Sequence, residues 1–326
     1  MKKINWGIIG CGDVTELKSG PAFNKIKNSS LIAVMRRNAD KAKDFAERHH
    51  VPKWYADADE LINDPDINAV YIATPPSSHK QYAIAALQAR KFVYVEKPMT
   101  VSVSSAIEMA EAVAKYNGKL VVAHYRREQP FYKKIKELVD QKEIGEIRLA
   151  NLKFYRTVLS QEDITIPKIA WRVNEAIAGH GLFYDIAPHQ VDMMYHLFGK
   201  INDAHGFAVN HNKLYIAADT VSGSILFKNK ILFCGEWCFD IGENKEEDHC
   251  EIIGEEGSIH FSFFGSQQIT VIKKGKIEVI EFEKLQHVQQ PMIEKVVEYF
   301  MGNGSNPCTV GEGVEVMKIL ENFSSK

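Results

Sequence analysis

The amino-acid sequence predicts an α/β fold made of two domains. The first is a Rossmann domain with a doubly wound parallel sheet, and the second is an α/β domain with a large, mostly antiparallel, open-faced sheet. Strand-like and helical periodicities alternate up to residue 124, which is typical of βαβ units. Beyond it, strand-like segments separated by turn signals indicate antiparallel hairpins. The 326 residues suffice for two domains of roughly 150 residues each, and we place them at 1–124 and 125–326.

In the first domain, short apolar runs predict buried strands and amphipathic stretches predict helices. The strands are predicted at 4–9, 31–35, 69–73, 92–95 and 120–123. The helices are predicted at 14–27, 38–49, 57–63, 77–89 and 103–116. Gly20-Pro21 interrupts the first of these helices and is expected to kink or split it. Ser77 or Ser78 is expected to cap the fourth.

In the second domain, eight segments have strand-like composition, and one long helix lies among them. The strands are predicted at 147–157, 204–209, 222–227, 231–239, 250–253, 258–263, 269–273 and 277–282. The helices are predicted at 129–141, 182–198, 291–301 and 312–323. The strands carry apolar residues, namely Leu226, Phe227, Leu232, Phe233 and Trp237. Since an exposed apolar sheet face is usually an interface, we expect a homodimer or homotetramer formed through the C-terminal sheet.

Composition excludes several classes of protein and partner. The 40 basic and 42 acidic residues give a net charge of −2, so neither nucleic acid nor an anionic membrane is expected as a partner. No apolar run approaches the ~18 residues of a membrane span, and no apolar core follows Lys2-Lys3 as in a signal peptide. The 5 cysteines form no CxxC pair, and their odd number in a chain of this length favours a reducing compartment and a cytoplasmic location. Cys234-x3-Cys238 with His249-Cys250 fits no zinc spacing, so no metal is expected.

A glycine-rich turn directly follows the first predicted strand and opens the first helix. It comprises Gly10, Cys11, Gly12, Asp13 and Val14. In this context the first glycine permits a tight turn, and the second lets the backbone approach a pyrophosphate at the helix N-terminus. The pattern therefore predicts a dinucleotide site, with a plain glycine turn as the alternative. Thr15 occupies the position of the usual third Gly or Ala, which leaves the tightness of the helix–strand packing open.

The residues after the second strand indicate which dinucleotide binds. NAD-binding domains usually place Asp or Glu there, where it accepts a hydrogen bond from the ribose 2′-hydroxyl. This chain instead has Arg36 and Arg37, with Lys41 one turn later. Guanidinium groups suit the 2′-phosphate dianion, so NADP(H) is favoured over NAD(H). The alternative is a solvated basic turn.

Glu96-Lys97-Pro98 lies at the end of the strand at 92–95. Ligands of open α/β sheets bind at the carboxyl ends of strands, so Lys97 is expected to point towards a nicotinamide. An ammonium group there can polarise a carbonyl or pass a proton to a developing alkoxide. An ordinary surface turn is the alternative for this tripeptide.

A second group of polar residues comprises Trp171-Arg172, Asp185 and His189. Asp185 and His189 are spaced i, i+4 and project from one face of a predicted helix, which fits acid–base chemistry and binding of a substrate hydroxyl. A contact on the helix surface is the alternative. The run at 124–127, His-Tyr-Arg-Arg, is a further candidate for a cofactor or substrate contact.

Together these motifs resemble the glucose–fructose oxidoreductase / inositol dehydrogenase (Gfo/Idh/MocA) family, in order and spacing, over nearly the whole chain. The resemblance implies Lys97 and His189 as catalytic groups and Asp185 as the residue that holds the substrate. It also implies that Thr74, Pro75 and His79 line the cofactor and that Trp171 and Arg172 approach its nicotinamide end. The candidate cofactor contacts further comprise the glycine turn, Arg36, Arg37, Lys41, Glu96 and Lys97. One departure is His180, which stands between Gly179 and Gly181 where the family often has a third glycine.

These features predict an NADP(H)-dependent oxidoreductase that acts on a sugar, a polyol or a related small carbonyl compound. Two alternatives from other classes remain. One is a non-catalytic NADP-binding regulator of the same fold, and the other is a nicotinamide-dependent glycosidase. The presence of Lys97, Asp185 and His189 together argues against the regulator.

Overall fold

The computed structural model describes residues 3–324. These residues form two compact units. The first unit comprises residues 3–129 and 285–317, and the second comprises residues 130–284 and 318–324. The chain thus contributes a late segment, 285–317, to the unit built from its N-terminal residues. The functional division between 1–124 and 125–326 stays a prediction.

The first unit contains a six-stranded parallel sheet, as the sequence predicts. Its strands are Ile4–Ile9 (β1), Ser29–Met35 (β2), Lys53–Tyr55 (β3), Ala69–Ile72 (β4), Phe92–Val95 (β5) and Leu120–Val122 (β6). The strand order is β3-β2-β1-β4-β5-β6, so the direction of winding reverses between β1 and β4. A ligand site is expected beside the carboxyl ends of the strands at such a reversal. The sequence did not predict β3, because its three half-exposed residues are too few for a period to be recognised.

The second unit contains an eight-stranded sheet of the order β14-β13-β12-β11-β7-β10-β9-β8. Its strands are Ile147–Thr157 (β7), Ile201–Val209 (β8), Thr220–Phe227 (β9), Leu232–Ile241 (β10), Glu247–Gly254 (β11), Gly257–Phe261 (β12), Gln268–Lys273 (β13) and Lys276–Glu281 (β14). Only the pairing of β7 with β10 is parallel. The predicted fold class, a Rossmann-like sheet and a mostly antiparallel sheet, is confirmed.

Eleven α-helices lie within residues 3–324. They are Asp13–Leu17 (α1), Ala39–Arg48 (α2), Ala58–Asn63 (α3), His79–Gln88 (α4), Val103–Lys115 (α5), Pro130–Asp140 (α6), Pro167–Ala170 (α7), Glu175–Ala178 (α8), Gly181–Phe198 (α9), Gln290–Met301 (α10) and Val310–Ser324 (α11). No helix in this part of the chain is both long enough and apolar enough to cross a membrane.

Two local features of these helices test the expectations from sequence. The segment after the glycine turn is split, as Gly20-Pro21 predicts: α1 ends at Leu17, and a 3₁₀ turn follows at Gly20–Lys25. Ser78 occupies the N-cap position of α4, as expected, but its side chain accepts no hydrogen bond from a backbone N–H of the helix, and its hydroxyl donates to Thr74 Oγ1 at 2.7 Å.

The two faces of the second sheet differ in composition. Phe227, Phe233 and Trp237 are at most 1% exposed and belong to the inner face, where the Phe183 ring of α9 lies 5.2 Å from that of Trp237. Leu226 and Leu232, in contrast, are 39% and 40% exposed on the outer face, where they are paired in register. Of the five apolar residues expected on an exposed face, only Leu226 and Leu232 lie on it, together with the exposed Phe207 and with Ser222, Ser224, Cys234 and Glu236. The face is mixed.

Candidate active site

The glycine turn lies against the ends of β2 and β4. Gly10 has a φ of +95°, which glycine adopts without strain. The backbone N–H groups of Gly10 and Cys11 donate to the Met35 carbonyl at 2.9 and 3.2 Å. A Cβ at Gly10 would lie 2.8 Å from Thr74 Cγ2 and 2.9 Å from the Ala73 carbonyl carbon, so the turn packs closely on the run after β4. The structure thus brings the predicted glycine turn and Thr74 together.

The second glycine leaves open space. No atom lies within 4 Å of the position that a Cβ at Gly12 would occupy, whereas Asp13 and Val14 begin α1. The buried Thr15 donates its hydroxyl to the Gly12 carbonyl at 2.7 Å, so the departure at the third position is accommodated by a local hydrogen bond. The turn therefore fits a dinucleotide, because its backbone is open on the side that a pyrophosphate would approach.

The basic residues after β2 keep hydrogen-bond donors that the described part of the protein does not use. Arg36 Nη1 donates to the Cys11 carbonyl at 3.2 Å, which holds this guanidinium against the glycine turn. Within residues 3–324, the other guanidinium N–H groups of Arg36 have no protein partner, and the exposed Arg37 and Lys41 side chains have none at all. This arrangement can bind a phosphate dianion with charge-assisted hydrogen bonds.

His79 links two of the predicted motifs and is itself buried. Its Nε2 lies 2.7 Å from the Thr74 carbonyl, and its Nδ1 lies 3.1 Å from the Pro98 carbonyl. Burial lowers the pKa of His79, and its contacts with the carbonyl groups oppose this only in part. The ring is 0% exposed, so it supports the loops after β4 and β5, whereas Thr74 and Pro75 are partly exposed.

Glu96 is buried beneath its motif, and Lys97 is partly exposed. Glu96 Oε1 accepts hydrogen bonds from the Tyr71 hydroxyl at 2.5 Å and from Gln289 Nε2 at 2.6 Å. Its Oε2 accepts one from the Lys97 backbone N–H at 3.2 Å. Burial, and next the charge of Glu96, raise the pKa of Tyr71 well above its ordinary value, so this phenol stays a donor at neutral pH.

Sequence reasoning missed the partners of Glu96. Tyr71 and Tyr94 look like ordinary apolar residues of buried strands, although their rings stack 5.1 Å apart and both hydroxyls reach Gln289. Gln289 is 193 positions from Glu96 along the chain. No local signal marks it, and only the folded structure places it here.

In the second unit, the start of α9 depends on two glycines. Gly179 and Gly181 have φ angles of +78° and +64°, and a Cβ at Gly181 would lie 2.7 Å from the Ala217 Cβ. His180 stands between them with an ordinary φ of −84°. Its ring centroid lies 4.7 Å from that of Tyr184. The unusual histidine therefore takes a position that any residue could adopt, while both glycines are required.

Asp185 lies on the first turns of α9 and is paired with Arg172. Arg172 Nε donates to Asp185 Oδ2 at 2.9 Å, and the two side chains are 21% and 24% exposed. The guanidinium carbon of Arg172 also lies 4.5 Å from the centre of the Trp171 ring. The three predicted residues therefore form one cluster, although this ion pair was not foreseen. A carboxylate held in this way can accept a hydrogen bond from a hydroxyl group while keeping its orientation.

His189 lies one turn after Asp185 on α9 and is 6% exposed. Its ring meets the Phe264 ring edge-on, with centroids 5.8 Å apart. The next residue, Gln190, is fully buried and accepts a hydrogen bond from Trp237 Nε1 at 2.6 Å. The helix is thereby fixed to the sheet directly beside the histidine. An imidazole on such a rigid support can take up or give a proton in a defined position.

Arg127 has a structural partner. Its Nη1 donates to Glu312 at 2.6 Å and to the Pro307 carbonyl at 3.3 Å, and its side chain is 2% exposed. Burial alone would raise the pKa of Glu312, but the charge of Arg127 and the donors of Thr309 outweigh it and hold this pKa below its ordinary value. The pair joins the turn after β6 to the start of α11. Within residues 3–324, no group of three or more His, Cys, Asp or Glu side chains is arranged to hold a metal ion.

Comparisons with known proteins show which family and fold the chain resembles. Residues 4–124 match an oxidoreductase family with an NAD-binding Rossmann fold, and residues 132–260 match the C-terminal domain of the GFO/IDH/MocA family. An oxidoreductase of Formosa agariphila is 50% identical over 321 residues, which are 98% of each chain. The myo-inositol 2-dehydrogenase of Thermotoga maritima is 27% identical over 60% of this chain and 54% of its own.

A solved structure shares the fold over the full length. Levoglucosan dehydrogenase in complex with NADH has a TM-score of 0.88 with this chain at 22% identity, and the match covers 98% of this chain and 96% of the other. At this identity the likeness concerns the fold alone.

Replacing Arg127 with Met is expected to destabilise the protein by about 2–3 kcal/mol at pH 7, because a largely buried carboxylate loses its cation. The pKa of Glu312 is lowered on folding, so its contribution is present above the ordinary value near 4.5 and is lost as the pH falls further. Urea unfolding measures the difference in the free energy of unfolding between the wild type and the Arg127 variant. This difference should be smaller at pH 4 than at pH 7.

The control is Lys136→Met, which breaks an exposed i, i+4 pair with Asp140. We expect it to cost less than ~0.5 kcal/mol. If the Arg127 variant loses the same free energy of unfolding at pH 7 and at pH 4, the proposed role of the Glu312 charge is contradicted.

Proposed function

The chain belongs to the Gfo/Idh/MocA family of oxidoreductases, and on this premise we propose that it catalyses an NADP(H)-dependent oxidation or reduction of a sugar, polyol or related small carbonyl compound. The observation that carries the cofactor preference is the set of unused donors on Arg36, Arg37 and Lys41 beside the glycine turn. The substrate class is supported by relatives that are a myo-inositol and a levoglucosan dehydrogenase. The latter was solved with NADH, so the preference for NADP(H) rests on this chain's own residues.

The cofactor would be held mainly by the first unit. The backbone of the glycine turn (10–14) would face the pyrophosphate, Arg36, Arg37 and Lys41 the 2′-phosphate, and Thr74 and Pro75 the dinucleotide beyond it. Trp171 and Arg172 are proposed for the nicotinamide end. The buried His79 and Glu96 would act by supporting these contacts. When bound, a nicotinamide supplies the hydride donor or acceptor.

The chain's own residues would move the proton and stabilise charge. His189 is proposed as the general acid or base at the substrate hydroxyl. The Lys97 ammonium would stabilise negative charge on the reacting oxygen or assist the proton transfer. Asp185, kept in orientation by Arg172, would accept a hydrogen bond from a substrate hydroxyl.

The cofactor proposal predicts that NADPH binds more tightly than NADH. Each charge-assisted hydrogen bond to the phosphate should contribute ~1.5–3 kcal/mol, so one such bond already gives roughly a tenfold preference. Fluorescence titration of both cofactors measures it. Arg36→Asp should narrow or reverse the preference, whereas Arg148→Asp on β7, which changes the net charge equally, should not alter it. Equal or tighter binding of NADH to the wild type would refute the proposal.

The catalytic proposal predicts that Lys97→Ala and His189→Ala lower turnover by ~10²–10⁴-fold, while NADPH affinity stays nearly intact. The larger loss is expected for Lys97, because its cation would face developing negative charge. Asp185→Ala should chiefly raise the KM for the substrate. Steady-state NADPH absorbance with a panel of sugars and polyols provides the measurement.

Normal turnover of Lys97→Ala would contradict the assignment of Lys97 as a catalytic group. A wild type that binds NADPH without turnover would favour the regulator, and hydrolysis without net NADPH change would favour the glycosidase.

The assembly proposal is a homodimer or homotetramer formed through the outer face of the second sheet, where Leu226 and Leu232 are exposed among polar neighbours. Light scattering at micromolar concentration should give a multiple of 36.9 kDa, and a monomer mass would contradict it. Leu226→Glu, which places a charge in the middle of this face, should weaken the assembly. A cytoplasmic location remains a prediction based on the cysteines.

A further inference from the structure

Glu96 is a buried carboxylate whose hydrogen-bond donors are all neutral. Within residues 3–324 these donors are the Tyr71 hydroxyl, the Gln289 side-chain amide and the Lys97 backbone N–H. The residue is 7% exposed. A buried carboxylate is tolerated only when it is well hydrogen-bonded. If any one of these donors is removed, the Glu96 carboxylate is therefore expected to change position and to form a hydrogen bond with another group.

The Gln289 amide can take only one orientation in this network. Its Oε1 accepts a hydrogen bond from the Tyr94 hydroxyl at 3.1 Å, and its Nε2 donates to Glu96 at 2.6 Å and to Tyr71 at 3.3 Å. A flipped amide would set its oxygen against the carboxylate of Glu96. Gln289 is 0% exposed, so bulk solvent does not reach these bonds.

The turn that carries Gln289 is anchored to the segment after the glycine turn. The Gln289 backbone N–H donates to the Lys18 carbonyl at 3.2 Å, and His287 Nδ1 lies 2.7 Å from the Leu17 carbonyl. Lys25 Nζ lies 2.7 Å from His287 Nε2. The position of Gln289 is therefore fixed independently of Glu96, as a residue that positions another must be.

The peptide of Lys97 is held on both sides. Its N–H donates to Glu96, and the carbonyl of the next residue, Pro98, lies 3.1 Å from His79 Nδ1. A lysine side chain is a flexible four-carbon stem, so the point from which it starts must be fixed if its ammonium is to act at one place.

We infer that Gln289 is a positioning residue that acts through Glu96 to hold Lys97 in place. The inference rests on the proposed function, because it assigns Gln289 to the reaction that Lys97 is proposed to assist. Since a displacement of about 1 Å can cost roughly 100-fold in rate, Gln289→Leu is expected to lower kcat by roughly 10- to 100-fold, with little change in NADPH affinity.

A double-mutant cycle with Lys97→Met tests the inference. The probe is whichever of myo-inositol, levoglucosan and D-glucose the wild type turns over fastest. If Gln289 acts through Lys97, Gln289→Leu should lower kcat less than about threefold in the Lys97→Met background. Tyr71→Phe should behave in the same way, whereas Tyr132→Phe, which removes a buried hydroxyl that donates to the Phe263 carbonyl, should leave kcat unchanged. Equal losses in both backgrounds would overturn the inference, as would no loss in the wild-type background.

A second measurement does not depend on turnover. The rate of Lys97 acetylation by acetic anhydride, compared with the protein's other lysines by mass spectrometry, should change severalfold in Gln289→Leu. An unchanged Lys97 rate would overturn the inference even if no probe is turned over. If Lys97→Met keeps full kcat while the acetylation rate responds to Gln289→Leu, the positioning role stands and the proposed role of Lys97 fails.

Discussion

A buried carboxylate is stable only if the chain supplies enough hydrogen-bond donors, and Glu96 meets this requirement within the first unit. β4 supplies Tyr71, but the second side-chain donor, Gln289, comes from beyond the second sheet in sequence. The late segment 285–317 is part of the first unit. Its turn also contacts Leu17 and Lys18 at the end of α1, so one short segment joins the helix that follows the glycine turn to the carboxylate beside Lys97.

Local pattern was enough to predict most of the first sheet and its motifs. The fully buried β4 is a continuous apolar run. The glycine turn after β1 can be recognised from sequence because Gly10 needs a positive φ. Hydrogen bonds between side chains that are far apart in sequence produce no such local pattern. The Glu96–Gln289 and Arg172–Asp185 pairs had to be found in the fold, and the second of these gives Arg172 a role in orienting Asp185 that its motif did not suggest.

The second sheet shows a different limit of sequence reasoning. Leu226 and Phe227 are adjacent in β9, and successive side chains of a strand point to opposite faces. Leu226 and Phe227 could therefore not both belong to one apolar face. In the structure, Phe227 is buried and Leu226 is exposed. The strand-like segments and the family resemblance predicted a mostly antiparallel sheet with one open face. Assigning each residue to a face requires the register with β8 and β10, which the sequence does not contain.

Hydrogen-bond partners divide the residues of the candidate site into two groups. Glu96, His79 and Asp185 have polar atoms engaged by the protein itself, which suits residues that orient others. Arg36, Arg37 and Lys41 keep charged donors that no group within residues 3–324 uses. The proposed preference for NADP(H) rests on these donors, because an exposed cation gains little from the protein around it, whereas a phosphate dianion could accept charge-assisted hydrogen bonds from them. This proposal depends on which donors the protein leaves unused, whereas motif membership alone would assign all six residues to the same role.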